Sequence, residues 1–153
     1  MEQFTSLFPL KFTHMITGPI VLIEDDQDDI DIFNEVLKEL GITNRLIKFT
    51  DPTVAFHFLE SNSEQPFLII CDVNLPRMSG LEFKTRLDAN EKLKKKSIPF
   101  IFYSTSAEKK YIMEAYLQLT VQGYFLKPMQ YAEIKKQVRA IFEYWKICQH
   151  PNT

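Results

Sequence analysis

Glycine is scarce in this chain, with four in 153 residues, less than half of the roughly 7% usual in soluble domains. Neither G-x-x-x-x-G-K-S/T nor G-x-G-x-x-G occurs, so a nucleotide cradled by a glycine-rich loop is not expected. Cysteine is almost absent. Cys71 and Cys148 lie far apart with no C-x-x-C, which makes neither a disulfide framework nor a zinc site. No apolar run approaches the roughly 18–20 residues of a membrane helix. The N-terminal residues lack a basic start and a small-residue cleavage site, so no secretory signal is read and a cytoplasmic, reduced protein is expected. An excess of one charge is missing too: 18 basic against 20 acidic residues give a net charge of -2. That argues against a nucleic-acid binder held by broad phosphate neutralisation. At this length one domain is the prior.

What is present is an alternation of two patterns. Short runs that are apolar throughout stand at Ile20–Ile23, Leu46–Phe49, 67–71, 99–103 and 124–126. Such runs predict strands buried on both faces. Between them, apolar residues recur at helical spacing: Ile30, Phe33, Leu37 and Leu40; Ala55, Phe58 and Leu59; Ile112, Ala115, Tyr116 and Leu119; Ile134, Val138, Ile141, Phe142 and Trp145. A weaker helical period covers 81–93, before a cluster of Lys92, Lys94, Lys95 and Lys96 that is taken as a solvated helix end. Strand and helix thus alternate five times, which predicts an α/β fold, a doubly wound parallel sheet with five helices. Gly41 falls where a left-handed helix cap is wanted. In such sheets the site lies at the carboxyl ends of the strands.

Those ends carry the chemistry. After the first strand come Glu24, Asp25 and Asp26, then Gln27, Asp28 and Asp29; after the third, Asp72, Val73 and Asn74; after the fourth, Ser104, Thr105 and Ser106; after the fifth, Lys127 and Pro128. The fold would bring carboxylates, a hydroxyl and a lysine into one pocket. Crowded carboxylates repel unless neutralised, and a hard divalent cation with oxygen ligands suits them. An aspartate beside Mg²⁺ and a lysine can attack phosphorus while the cations offset the charge of the transferring group. Asp28 and Asp29 read as first-turn helix residues favoured by the dipole.

In order and on the correct strand ends, these residues resemble the receiver domain of two-component response regulators, of the stand-alone type, over residues 19–147. The matching motifs are the acidic pair, the run Asp72-Val73-Asn74-Leu75-Pro76-Arg77-Met78-Ser79-Gly80, Ile98-Pro99 leading to a hydroxyl, and Lys127-Pro128. The resemblance implies a flavodoxin-like five-stranded sheet in the order 2-1-3-4-5. It places the acidic pair directly after the first strand, at Glu24 and Asp25, with Asp26 outside the immediate shell. It further implies Asp72 as phosphoacceptor and Mg²⁺ as cofactor, held by Asp25, Asp72 and the backbone carbonyl of Asn74, with Glu24 acting through water. Lys127 would meet the phosphoryl group, and the bond to Pro128 would be cis. Ser104 and Tyr124 would be the switch residues, although Tyr124 as a plain core aromatic stays open. Pro128 and Gly80 would be structural. Thr105 departs from the small residue usual after the switch hydroxyl.

The implied partners are a sensor histidine kinase or phosphotransfer protein and a downstream protein target. A homodimer through the fourth helix, fifth strand and fifth helix is a candidate assembly. Direct DNA binding and membrane association are not expected. Residues 1–17 form an extension of unknown role, 18–148 the receiver domain and 149–153 a tail. Two rivals are weaker. A haloacid dehalogenase-type phosphatase wants Asp two residues after its nucleophile, where Asn74 stands. A flavodoxin-like FMN binder wants a hydroxyl- or glycine-rich phosphate loop where five acids stand in the six residues from Glu24 to Asp29.

Overall fold

A computed structural model describes residues 17–152, so the N-terminal extension lies outside the described residues except for Thr17. The apolar runs form β1 (Ile20–Ile23), β2 (Leu46–Phe49), β3 (Leu68–Cys71), β4 (Phe100–Ser104) and β5 (Gly123–Leu126). All neighbouring pairs are parallel, in the order β2-β1-β3-β4-β5. Every residue of β1, β3 and β4 is buried, while the edge strands β2 and β5 are only partly so. Strand residues alternate between two cores. Ile20, Leu22, Leu68 and Ile70 face α1 (Gln27–Glu39) and α6 (Tyr131–Ile147). Val21, Ile23, Ile69 and Cys71 face the layer of α2 (Pro52–Ser61), α3 (Gly80–Ala89), α4 (Glu91–Lys96) and α5 (Lys109–Gln118).

Among the described residues, six helices stand where five were expected. The weak period over 81–93 is broken at Asn90, which is both the C-cap of α3 and the N-cap of α4. Its backbone leaves the helical region (φ -92°, ψ 111°), and its side chain accepts from the Leu93 N–H at 3.0 Å. A short side chain that bonds the backbone in this way competes with helix continuation. The lysine cluster is α4 itself rather than a solvated end alone. Lys92 donates to the Glu60 carbonyl at 3.0 Å, and Lys96 to the carbonyls of Leu59 at 3.1 Å and Asn62 at 2.8 Å. These ammonium groups satisfy carbonyls at the C-terminal end of α2, where positive charge is favoured.

The start and end of α1 fix the first strand-end loop. Asp26 is its N-cap, accepting from the Asp29 N–H at 3.2 Å. Gly41 takes φ 72°, and the Ile42 N–H closes the cap on the Leu37 carbonyl at 3.0 Å. After β3 the chain turns back under itself: the Gly80 N–H donates to the Val73 carbonyl at 2.8 Å. A Cβ at Gly80 would collide with the Asp72 carbonyl oxygen. α5 departs from its expected apolar stripe. Only Ala115 is buried, and Tyr116 is exposed.

Of the residues set apart as a tail, His150 packs against the sheet. His150 is buried, stacked on Phe67 at 4.9 Å between centroids and edge-on to Trp145 at 4.8 Å. Its Nε2 meets the Phe67 carbonyl at 2.6 Å, and its Nδ1 accepts from the Asn152 N–H at 2.9 Å. Asn152 Nδ2 in turn donates to the Thr17 carbonyl at 2.9 Å.

Burial holds the His150 imidazole below its ordinary 6.5, partly offset by the Phe67 carbonyl. The fold therefore prefers neutral His150, while the unfolded chain takes up a proton near 6.5. Its contribution to stability is complete above that pH and is lost as pH falls through the window below it. The melting temperature of the wild type should fall more steeply below pH 6.5 than that of His150→Gln; parallel curves would contradict this. A second expectation concerns Gly80. Gly80→Ala should lower stability by about 1–3 kcal/mol, since backbone must shift to admit the methyl group, measured as a lower urea midpoint with unchanged slope.

Candidate functional site

The parallel ladder runs one step past three of the strands and sets their acidic and basic residues side by side. The Glu24 N–H donates to Phe49 O at 2.9 Å, the Asp72 N–H to Ile23 O at 3.0 Å, and the Lys127 N–H to Ser104 O at 2.9 Å. Glu24, Asp72 and Lys127 are thus fixed by sheet register before their side chains interact. The Lys127 ammonium donates to Glu24 Oε1, to Asp29 Oδ2 at 2.9 Å and to Asp72 Oδ2 at 3.1 Å. The second oxygens of Glu24 and Asp72 are also engaged. Glu24 Oε2 accepts from the Asp26 N–H at 3.2 Å, and Asp72 Oδ1 from the N–H groups of Val73 at 2.7 Å and Asn74 at 3.3 Å.

Glu24, Asp25 and Asp72 each offer a ligand oxygen, all within 4.8 Å of one another. Glu24 and Asp72 are buried and Asp25 is exposed, so the cluster has a dry floor and an open mouth. Burial pushes Glu24 up to about 7 against the opposing pull of Lys127. Burial also works against the Lys127 charge, but the hydrogen bond to Glu24, the field of Asp72 and the bond to Asp29 outweigh it and hold the lysine above its ordinary range. More negative charge gathers here than one ammonium neutralises. An all-oxygen, carboxylate-rich donor set fits a hard divalent cation.

The structure brings together Glu24, Asp25, Asp72 and Lys127 from the expected set. Asn74 is exposed and joins through its N–H. Ser104 and Tyr124 meet each other's neighbourhood rather than the lysine: buried Ser104 Oγ accepts from the Ser106 N–H at 3.1 Å, and the Tyr124 hydroxyl donates to the Ser106 carbonyl at 2.9 Å. The Tyr124 ring also lies tilted against Phe102 at 5.8 Å. Thr105 is exposed. The Lys127–Pro128 bond is not cis, since the described residues contain no cis peptide. The trans isomer is the favoured one by roughly 0.5–1 kcal/mol, and Lys127 reaches the carboxylates through it.

Sequence reasoning missed Asp29 and Ser106. In the sequence, the helix dipole alone accounts for Asp29. The available signal was its spacing: it stands four residues before Phe33, which packs on Tyr103 at 6.3 Å. Residues four apart share a helix face, so Asp29 had to face the sheet. Ser106 links Ser104 and Tyr124 through its backbone N–H and carbonyl, which no side-chain motif reveals.

Known proteins are similar to this chain over most of its length. A family model for the response regulator receiver domain matches residues 20–139. The chain is 33% identical to response regulator Rcp1 of Synechocystis sp. over 82% of this chain and 87% of that protein. It is 30% identical to chemotaxis protein CheY of Pseudomonas aeruginosa over 81% of this chain and 95% of that protein. Among solved structures, a phosphorylated cyanobacterial phytochrome response regulator, RcpA, superposes with a TM-score of 0.79 at 28% identity, covering 88% of this chain and 99% of that one. An Mn²⁺-bound form of Rcp1 does so at 0.76 and 31%, covering 88% and 99%. With its doubly wound sheet and its acid–lysine pocket at the strand ends, the chain belongs to the response regulator receiver domain family of two-component signalling.

Proposed function

We propose that this protein is a phosphoacceptor switch rather than a turnover enzyme, and that Asp72 is the acceptor. The observation that carries this reading is the buried Asp72 carboxylate held between two backbone N–H groups and the Lys127 ammonium, beside Glu24 and Asp25. The donor is a phosphohistidine on a sensor histidine kinase or phosphotransfer protein. An Asp72 carboxylate oxygen attacks phosphorus, the P–N bond to the imidazole breaks, and the released imidazole takes up a proton. Lys127, already within hydrogen-bond reach of Asp72, pairs with the phosphoryl oxygens as they arrive.

Mg²⁺ is the cation we assign to the carboxylates, with Asp25, Asp72 and the Asn74 carbonyl as direct ligands and Glu24 acting through water. When bound, it offsets charge on the transferring group and on the crowded acids. Ser104 and Tyr124 carry the readout. Both bond to Ser106, so a shift of the Ser104 hydroxyl toward a new phosphoryl group loosens the contact shared with the Tyr124 ring. That biases a two-state surface by a local charge event. The surface is α5, β5 and the start of α6, where Met113, Tyr116, Leu117, Leu126 and Met129 are exposed. Apolar exposure on this scale suits a protein partner or a second copy. Among the described residues no helix is long and apolar enough to cross a membrane.

Incubation with acetyl phosphate and Mg²⁺ should add one hydroxylamine-labile phosphoryl group, and Asp72→Asn should abolish it. Equal labelling of that variant would overturn the assignment. Mg²⁺ alone should also raise the melting temperature, because a ligand at 100 times its Kd stabilises by about 2.7 kcal/mol. Asp25→Asn should weaken that response, and a scan with no Mg²⁺ dependence in the wild type would count against the metal site.

A further inference from the structure

Lys127 has one partner more than its place in the sheet requires. Glu24 and Asp72 follow β1 and β3, across β4 from it in the sheet, but Asp29 belongs to the first turn of α1. Asp29 is also outside the group of carboxylates that gathers ligand oxygens within 4.8 Å. Its side chain is 40% exposed, against 4% for Glu24 and 10% for Asp72. It therefore holds the ammonium from the solvent side, next to a small crevice of about 20 Å³ between α1 and α6 bordered by Phe33, Tyr103 and Pro128.

This placement matters because the lysine and a divalent cation want the same oxygens. Lys127 sits on one oxygen each of Glu24 and Asp72, two of the three residues of the metal-fitting cluster. Two cations in one small dry pocket repel, and the repulsion grows as the dielectric falls. An ammonium with no other acceptor would stay on Glu24 and Asp72 and compete. Asp29 Oδ2, at 2.9 Å on the α1 side, offers it a third hydrogen bond and a counter-charge to keep when a cation takes those oxygens.

We propose that Asp29 is a positioning residue that draws the Lys127 ammonium toward α1 and so leaves Glu24 and Asp72 open to a divalent cation. The inference rests on the phosphoacceptor reading only in naming Mg²⁺ as that cation. Asp29 works through the lysine and touches neither metal nor phosphoryl group. Half-exposed ion pairs are modest in strength, so the expected effect is small but measurable.

The test is calorimetric titration of the unphosphorylated full chain with MgCl₂. Asp29→Asn should weaken Mg²⁺ binding about two- to fivefold, while Asp29→Glu keeps it close to wild type. Asp28→Asn, which removes an equal charge from the next residue, should weaken it less. In a Lys127→Gln background, Asp29→Asn should do no more than Asp28→Asn, because the group it positions is gone; a double-mutant cycle isolates that coupling. An equal loss in both backgrounds would make Asp29 a mere charge or ligand and overturn the proposal, as would no loss at all. A wild type that binds no Mg²⁺ overturns it together with the metal assignment. Acetyl phosphate labelling of the wild type separates the two readings. Labelling without coupling removes Asp29 alone, and coupling without labelling removes only the phosphoacceptor.

Discussion

One ammonium allows three acidic groups to share a pocket whose floor is closed to water. Glu24 and Asp72 are buried, and isolated buried carboxylates would cost several kcal/mol each. Lys127 bonds to both and to Asp29. Its position follows from the sheet: Ser104 pairs with Leu126, and the next N–H, that of Lys127, closes on the Ser104 carbonyl. A one-residue slip of β5 would turn the lysine to the other face. The electrostatics of the site therefore depend on a parallel register built from residues that carry no charge.

The rest of the fold sustains that register in graded fashion. β1, β3 and β4 are buried on both faces, so the carboxylate side of the pocket is rigid. The β5 side is looser. α5 buries only Ala115 and has no side-chain cap, and the outer edge of β5 is met by the Tyr116 hydroxyl, which accepts from the Tyr124 N–H at 2.9 Å. A firm acid floor beside a lightly packed helix is the arrangement in which a small charge event can produce a surface change, since regions with few buried apolar contacts open at low cost.

Much of this was legible in the sequence. Apolar runs without alternation gave the three central strands, because a strand covered on both faces cannot alternate. Glu24, Asp72 and Lys127 each directly follow such a run, and Asp25 completes the acidic pair that the resemblance places there. The Gly41 cap was found because only glycine adopts that backbone freely. What escaped depended on tertiary context. The break at Asn90 is a local competition between side chain and helix that a weak apolar period does not reveal. Asp29 looked like a dipole residue until α1 was set against β4 through Phe33 and Tyr103. His150 looked like tail because its partners, Phe67 and Trp145, are remote in sequence or hidden in a helix stripe. The Lys127–Pro128 isomer was carried over from a resemblance, not from any property of these two residues.

The proposed phosphoacceptor is the acid pinned between backbone N–H groups and Lys127. Borohydride reduction of the acetyl phosphate-treated protein, followed by peptide mass mapping, tests it directly, because an aspartyl phosphate is reduced to homoserine. Homoserine at position 72 alone is expected. Homoserine at Asp25, Asp26 or Asp29, or at none of the aspartates, would contradict it.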